Sequence, residues 1–192
     1  MPPCLPRSIA AATMCAALAA VAAPAPLGAQ TQPAVAPAKI DPCWLTADTA
    51  TRTARLKLTA GLTPFNGALN FNGYRDGGLT LVVPEGWTVV VDFYNHDGML
   101  PHSAEVIGDV TPVPVASVDP AIPRAYTNGM GQGLPPQAKD QMRFTARPAG
   151  EYKIFCGVPG HGLAGMWIHF RVSADAKTAT LLDTQSPAPA GR

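Results

Sequence analysis

The sequence predicts an all-β fold, an antiparallel sandwich or barrel, and three observations carry that expectation. Short runs alternate apolar and polar residues, most clearly at 87–94, where Trp87, Val89, Val91 and Phe93 share one face. Turn-forming clusters separate the runs: Pro84-Glu85-Gly86, Asn95-His96-Asp97-Gly98 and Arg147-Pro148-Ala149-Gly150. Helical periodicity is almost absent, and short strands between Gly/Pro turns are the pattern of sandwiches and barrels.

In chain order, residues 1–29 read as a secretory signal peptide. Arg7 is the only charge, an Ala-rich apolar run covers 9–23, and Leu27-Gly28-Ala29 offers a small-residue cleavage site before Gln30. The alternative is a retained anchor, but the run is shorter than the ~20 apolar residues a spanning helix needs, and Pro24 and Pro26 interrupt its end. Neither Cys4 nor Cys15 lies in a convincing lipoprotein box. Without the leader roughly 160 residues remain, enough for one domain with a buried core and too few for two.

Residues 30–42, rich in Pro, Ala and Gln, read as an extended, poorly ordered linker. The folded domain is expected over 43–173. Residues 45–52 are open between irregular chain and a short helical turn, and 55–59 alternates as a half-buried strand. Phe65-Asn66-Gly67 through Asn72-Gly73-Tyr74 gives short strand segments and turns. Strands are expected at 79–83, 87–94, 103–107, 141–146, 152–156 and 167–172. Residues 108–140 form a long Pro/Gly-rich loop or insertion, and long loops of this kind are commonly functional. Gly129-Met130-Gly131-Gln132-Gly133 within it lacks the lysine and spacing of a phosphate loop. Residues 174–192 read as a C-terminal tail that frays.

The whole chain carries a net charge of +1, and the remainder is balanced once Arg7 leaves. With no basic run and no interleaved basic and aromatic patch, nucleic-acid binding is not expected. Of four cysteines, Cys43 and Cys156 remain after the leader. A disulfide between them is one reading for an exported protein. The other makes Cys156 a metal ligand and leaves Cys43 either buried and inert or free to dimerise.

The second reading rests on Cys156-Gly-Val-Pro-Gly-His161-Gly-Leu-Ala-Gly-Met166, which puts a thiol, an imidazole and a thioether into eleven residues. All three can face one ion only if the backbone curls tightly, which the interspersed glycines permit. A mononuclear copper site of the electron-transfer kind uses two His and one Cys with a weak Met. Pro101-His102-Ser103 supplies the missing imidazole. The candidate metal ligands are therefore His102, Cys156, His161 and Met166. His96, in a polar turn, reads as solvated, and His169, on a strand beside Trp167, reads as structural.

These residues carry a resemblance. From about 56 to 172 the chain resembles the cupredoxin family, and Phe71-Asn72-Gly73-Tyr74, Val83-Pro84-Glu85-Gly86-Trp87, Pro101-His102-Ser103 and the Cys156 to Trp167 motif look most like sulfocyanin, with rusticyanin as a relative. The Pro-rich segment 108–140 has no counterpart we align. The resemblance implies a Greek-key β-sandwich holding one type 1 (blue) copper through His102 Nδ1, Cys156 Sγ, His161 Nδ1 and Met166 Sδ. It also implies periplasmic single-electron transport in a respiratory chain, with a cytochrome or terminal oxidase as redox partner. No enzymatic activity is expected, any membrane contact would be peripheral, and the protein would be a monomer.

Zinc would favour more thiolate or a carboxylate over the thioether. A copper enzyme would need further His ligands, and only His96 and His169 remain. A binuclear copper domain would need a second Cys in the loop. A periplasmic copper carrier or storage protein is the alternative, separable by its readier loss of metal to a chelator.

In sulfocyanin and rusticyanin a Ser follows the upstream His, and Ser103 matches, so it should tie the two ligand segments together. With Met99, Leu100, Val158, Pro159, Leu163 and Trp167 near the ligands, a dry apolar surround and a relatively high reduction potential are expected. Val158, Pro159, Leu163 and Ala164 beside His161 are the candidate docking patch.

Overall fold

The strand Thr88–Asn95 (β4) shows best why this chain folds as two layers. Its alternate residues Val89, Val91 and Phe93 are buried toward the opposing sheet, while Thr88, Asp92 and Tyr94 are partly exposed on the other face. In this computed structural model residues 39–185 are described, and the expected leader and most of the expected linker lie outside them. The strands before β4 are β1 (Leu45–Asp48), β2 (Thr53–Ala60) and β3 (Leu79–Pro84). After it come β5 (Glu105–Gly108), β6 (Lys139–Thr145), β7 (Gly150–Phe155), β8 (Trp167–Ser173) and β9 (Thr180–Asp183).

One sheet has the order β1-β2-β4-β6 and the other β5-β7-β8-β3-β9. The all-β Greek-key sandwich is as expected, but the sheets are mixed rather than purely antiparallel. Strand β2 pairs parallel with β4, and β3 pairs parallel with β8. The cause is topological: the chain leaves β2, runs through β3 in the opposite sheet and returns to β4 pointing the same way.

The core lies between the sheets. Leu56, Leu58, Val91, Met142 and Phe144 from one meet Leu81, Ile154, Ile168 and Phe170 from the other, all buried. Phe144 and Phe170 cross edge to face at 5.9 Å between ring centroids, the favourable arrangement for two quadrupoles. Strand β3 is buried along its whole length and is paired on both edges, with β8 and β9. Buried Asn72 closes the turn after β2: its side chain accepts from Thr59 N–H at 2.6 Å and donates to Lys57 C=O at 3.0 Å.

The tail was expected to fray from residue 174. Instead β9 pairs antiparallel with β3, from Leu79 opposite Asp183 to Val82 opposite Thr180. Residues 45–48, open in sequence, form the edge strand β1. Cys43 is exposed in the short 3₁₀ turn Pro42–Trp44, not buried, and Cys43 and Cys156 are both free thiols. The disulfide reading is thereby excluded.

The long segment 108–140 is held to the sandwich at many points. Ser117 N–H donates to Gly157 C=O at 2.8 Å, and Gly160 N–H to Val115 C=O at 2.7 Å. Buried Lys153 donates to Asp109 Oδ1 and Val110 C=O, both at 2.6 Å. Met130 C=O accepts from Ser103 Oγ–H at 2.7 Å. Among the described residues, no helix is long and apolar enough to cross a membrane.

Glu105 is a further anchor, and its burial has a cost. It is fully buried, accepts from Val118 N–H through Oε1 at 3.2 Å, and has no partner for Oε2. Burial pushes its carboxyl from the ordinary 4.5 up to about 7, against the Val118 amide, which lowers it. Between those values the unfolded chain has released the proton and the folded chain still holds it, so stability falls as pH rises from about 4.5 to about 7. The full effect is roughly 3 kcal/mol. Glu105→Gln is expected to flatten this part of the stability curve, as followed by urea denaturation of the metal-free protein across that range.

Candidate metal centre

The centre is built at one end of the sandwich, where β7 runs out into the ligand loop. Cys156 follows the last residue of β7, and Met166 precedes the first residue of β8. These strands pair antiparallel up to Phe155 opposite Trp167, and the ladder continues one step with Cys156 N–H donating to Met166 C=O at 3.1 Å. The loop between them is cross-tied: His161 N–H donates to Val158 C=O, Ala164 N–H to Gly160 C=O, and Met166 N–H to His161 C=O. The eleven residues from Cys156 to Met166 therefore return to their starting point, and these backbone ties draw the thiol, imidazole and thioether residues together.

Gly165 illustrates why glycine is needed there. It has φ +94°, and a Cβ would stand 2.6 Å from Asp76 Oδ1. Asp76 N–H in turn donates to Gly165 C=O at 2.8 Å, and Asn66 Nδ2–H to Ala164 C=O at 2.7 Å. The turns at 65–77 thus brace the far side of the loop.

His102 arrives from a different direction, three residues before β5. Its backbone exchanges hydrogen bonds with Leu134 of the long segment, N–H to C=O at 3.1 Å and the reverse at 2.8 Å. Gly133 makes this approach possible: with φ +74°, a Cβ there would lie 2.8 Å from His102 N and from Val158 Cγ2. The long segment is therefore one wall of the centre.

The donor atoms of His102, Cys156 and His161 all lie within 4.8 Å of one another. Cys156 Sγ is 3.6 Å from His161 Nδ1, and the two imidazole rings stand 5.1 Å apart between centroids. His102, Cys156 and Met166 are wholly buried, and His161 is half-buried. His102 Nδ1 is a buried polar atom with no hydrogen-bond partner. A buried nitrogen left bare is costly, and a bare imidazole nitrogen beside a thiol and a second imidazole is the form a metal ligand takes. Sequence reading placed His102, Cys156, His161 and Met166 together, and the structure brings the first three into one cluster, with Met166 bonded through its backbone to Cys156 and His161.

Burial holds His102 below the ordinary imidazole value, against the hydrogen bond and charge of Asp97, which raise it. His161 is lowered by burial and then by His102. Both rings are therefore held toward the neutral, ligating form. Burial pushes the Cys156 thiol up, while hydrogen bonds from Ser103 and Val158 pull it down. A dry thiol ionises only with compensation, and a cation in the cluster would supply it.

Ser103 does tie the ligand segments. Its N–H donates to Cys156 Sγ at 3.4 Å, and its Oγ accepts from Gly157 N–H at 3.0 Å. The same hydroxyl donates to Met130, so it joins three segments rather than two. The apolar surround differs from expectation. Val158 is buried, but Met99 is 86% and Leu163 50% exposed, and Pro159 is also exposed. They form the outer rim, while the dryness at the ligands comes from the sandwich core and the long segment. His96 is exposed, as expected, and His169 packs edge to face on Trp167 at 5.2 Å, away from the cluster.

Sequence reading missed Asp97. Taken as a turn residue, it is 8% exposed, with Oδ2 3.0 Å from His102 Nε2. A carboxylate behind a metal-binding imidazole fixes its tautomer and orientation. Asn-His-Asp-Gly reads locally as a turn, and only the distance to His102 across that turn reveals the second role.

Residues 42–181 match the Sulfocyanin (SoxE) domain family. A sulfocyanin of Sulfolobus acidocaldarius is 30% identical over 105 residues, covering 51% of this chain and 52% of that protein. The chain thus spans about half the length of this curated relative. Among solved structures, reduced rusticyanin is similar at 30% identity with a TM-score of 0.50, covering 64% of this chain and 80% of its own. A second rusticyanin structure, at 27% identity, gives 0.51 and covers 64% and 78%. Sandwich, ligand loop and matched stretch coincide, and the chain belongs to the sulfocyanin family of cupredoxin-type proteins.

Proposed function

We propose that this protein is a mononuclear type 1 copper electron carrier working outside the cytoplasm, not an enzyme, in which His102, Cys156, His161 and Met166 would hold the ion, the thioether as the weakest donor. The observation that carries the reading is the buried cluster of a bare imidazole nitrogen, a thiol and a second imidazole. Copper, when bound, supplies a one-electron couple between Cu(II) and Cu(I). One thiolate, two imidazoles and a thioether suit both oxidation states, whereas zinc sites are commonly completed by further thiolate, imidazole or carboxylate.

The protein's own task is to hold these donors still. The backbone ties across the ligand loop, the Ser103 bridge and the Leu134 clamp on His102 all resist rearrangement. A centre that moves little between states passes electrons with little reorganisation. Burial of His102 and Cys156 also opposes the ready exchange that a copper carrier or storage protein needs.

His161 is the ligand nearest solvent, and exposed Leu163, Pro159 and Val115 lie on the segments around it. Gly160 N–H, bonded to Val115 C=O, joins the ligand loop and the long segment into one surface. This rim is the docking face for a redox protein, with a cytochrome or terminal oxidase as the partner class that family membership favours. The signal-peptide pattern of residues 1–29 and membership of the family support a periplasmic location.

The mature protein loaded with Cu(II) should show an intense thiolate-to-copper absorption band and a narrow copper hyperfine splitting. Ascorbate should bleach the band, and Cys156→Ser should abolish it. A weak, broad spectrum indifferent to Cys156 would overturn the assignment, and rapid loss of copper to a chelator would favour the carrier reading. Met166→Leu should keep the intense band but raise the potential by tens of millivolts, on the scale of the 59 mV that corresponds to a tenfold change in a one-electron equilibrium. Leu163→Asp should slow electron exchange with a redox partner by about tenfold while leaving the potential unmoved, measured by stopped-flow reduction.

A further inference from the structure

Asp97 is more firmly built into the centre than a turn residue requires. Its Oδ1 accepts from Met99 N–H at 2.8 Å and Leu100 N–H at 3.1 Å, which leaves Oδ2 to face His102 Nε2 at 3.0 Å. The turn is itself clamped. Asp97 N–H donates to Asn95 Oδ1 at 3.0 Å, and Asn95 Nδ2 donates to the carbonyls of Leu100 and Leu134, each at 2.9 Å. Leu134 is also the residue that pairs with the His102 backbone. From the other side Gly61, at φ +66°, lies so close that a Cβ would meet Asp97 Cβ at 3.1 Å and its N at 3.2 Å. The carboxylate therefore has one position, and one oxygen free for the imidazole.

We propose that Asp97 is a positioning residue of the metal centre: it holds the His102 proton on Nε2, so that Nδ1 is bare toward Cys156 and His161, and its negative charge favours the more highly charged metal state. The inference rests on the copper reading for its redox half and on geometry alone for its tautomer half. With Oδ2 unable to donate, the shared proton sits on Nε2 and Nδ1 is left without one, in agreement with its lack of any protein partner. The charge opposes the dry surround. The core disfavours Cu(II), Asp97 favours it, and the potential is set by the difference.

Asn in place of Asp97 separates these effects from simple packing. Two backbone amides already point at Oδ1, so the amide oxygen of Asn must stay there and its NH₂ must face Nε2. That donor drives the His102 proton onto Nδ1, the nitrogen a metal needs.

The test uses Asp97→Asn, Asp97→Glu and Gly61→Ala in the full mature protein. Nitrogen-15 NMR of the metal-free protein reads the His102 tautomer, and titration with copper ions reads affinity and midpoint potential. Wild type should show the proton on Nε2. Asp97→Asn should shift it to Nδ1 and weaken Cu(II) binding 10–100-fold. If Cu(II) binding falls tenfold more than Cu(I) binding, the potential rises by about 59 mV. Asp97→Glu, which keeps the charge, should retain more of the wild-type potential than Asn, and Gly61→Ala, which displaces the carboxylate without removing it, should change the tautomer in part.

An unchanged His102 tautomer with an unchanged potential in Asp97→Asn would overturn the proposal, including when the variant merely melts earlier. If the wild type lacked the intense thiolate band, the copper reading would fail, and the tautomer measurement would still decide the role of Asp97.

Discussion

One buried imidazole nitrogen without a protein partner is the constraint on which the rest depends. His102 Nδ1 sits in a dry site beside a thiol and a second imidazole, and leaving it bare costs on the order of 1–3 kcal/mol. The surrounding hydrogen bonds keep that nitrogen from finding another acceptor or donor. Asp97 takes the opposite edge of the ring, Leu134 holds its backbone on both sides, and Gly133 keeps the approach open. A stable sandwich could be made without any of this. The arrangement makes sense as the preparation of a cation site whose binding energy offsets the cost.

The two halves of the site are rigid for different reasons. Cys156, His161 and Met166 are held locally, by a loop that starts and ends on neighbouring antiparallel strands and is cross-tied by its own amides. His102 is held by Asp97 five residues before it and by distant contacts to Leu134 and, through Ser103, to Met130. The long segment 108–140 is the common element. It bonds to Ser103, Gly157 and Gly160 and so packs on both halves at once. The long Pro/Gly-rich loop is thus a structural wall, several of whose backbone groups pair with the sandwich.

The sequence was most legible where the determinants are close together. Val89, Val91 and Phe93 alternate as a half-buried strand must, and Cys156, His161 and Met166 lie on one short loop, so spacing alone announces both. Strand β9 escaped because Thr180, Leu181, Leu182 and Asp183 are few and mostly exposed, and only the free edge of β3 makes them a strand. The short β1 was ambiguous for the same reason, being an edge with no buried face. Cys43 looked like a core residue by type, yet the 3₁₀ turn that Asp41 caps turns it outward. The parallel pairings follow from the order in which the chain visits two sheets, which no local window contains.

Asp97 shows why a site can be half-read from sequence. Metal ligands are recognised by residue type, because few side chains can bind copper, but the groups behind them are ordinary polar residues doing ordinary things. Asp97 caps its own turn through Oδ1, and that is all its neighbourhood in sequence reveals. Its second oxygen acts on a ring five residues later, and the direction of that oxygen depends on Gly61, Asn95 and Leu134, which belong to three separate parts of the chain. With an ion bound, two opposing influences would meet on it. The dry surround of sandwich core and long segment would disfavour the higher charge state, whereas the carboxylate behind His102 would favour it. On the copper reading, a change at this one position would shift the balance between oxidation states with the ligands unchanged, because the carboxylate would act on the ion through the ring.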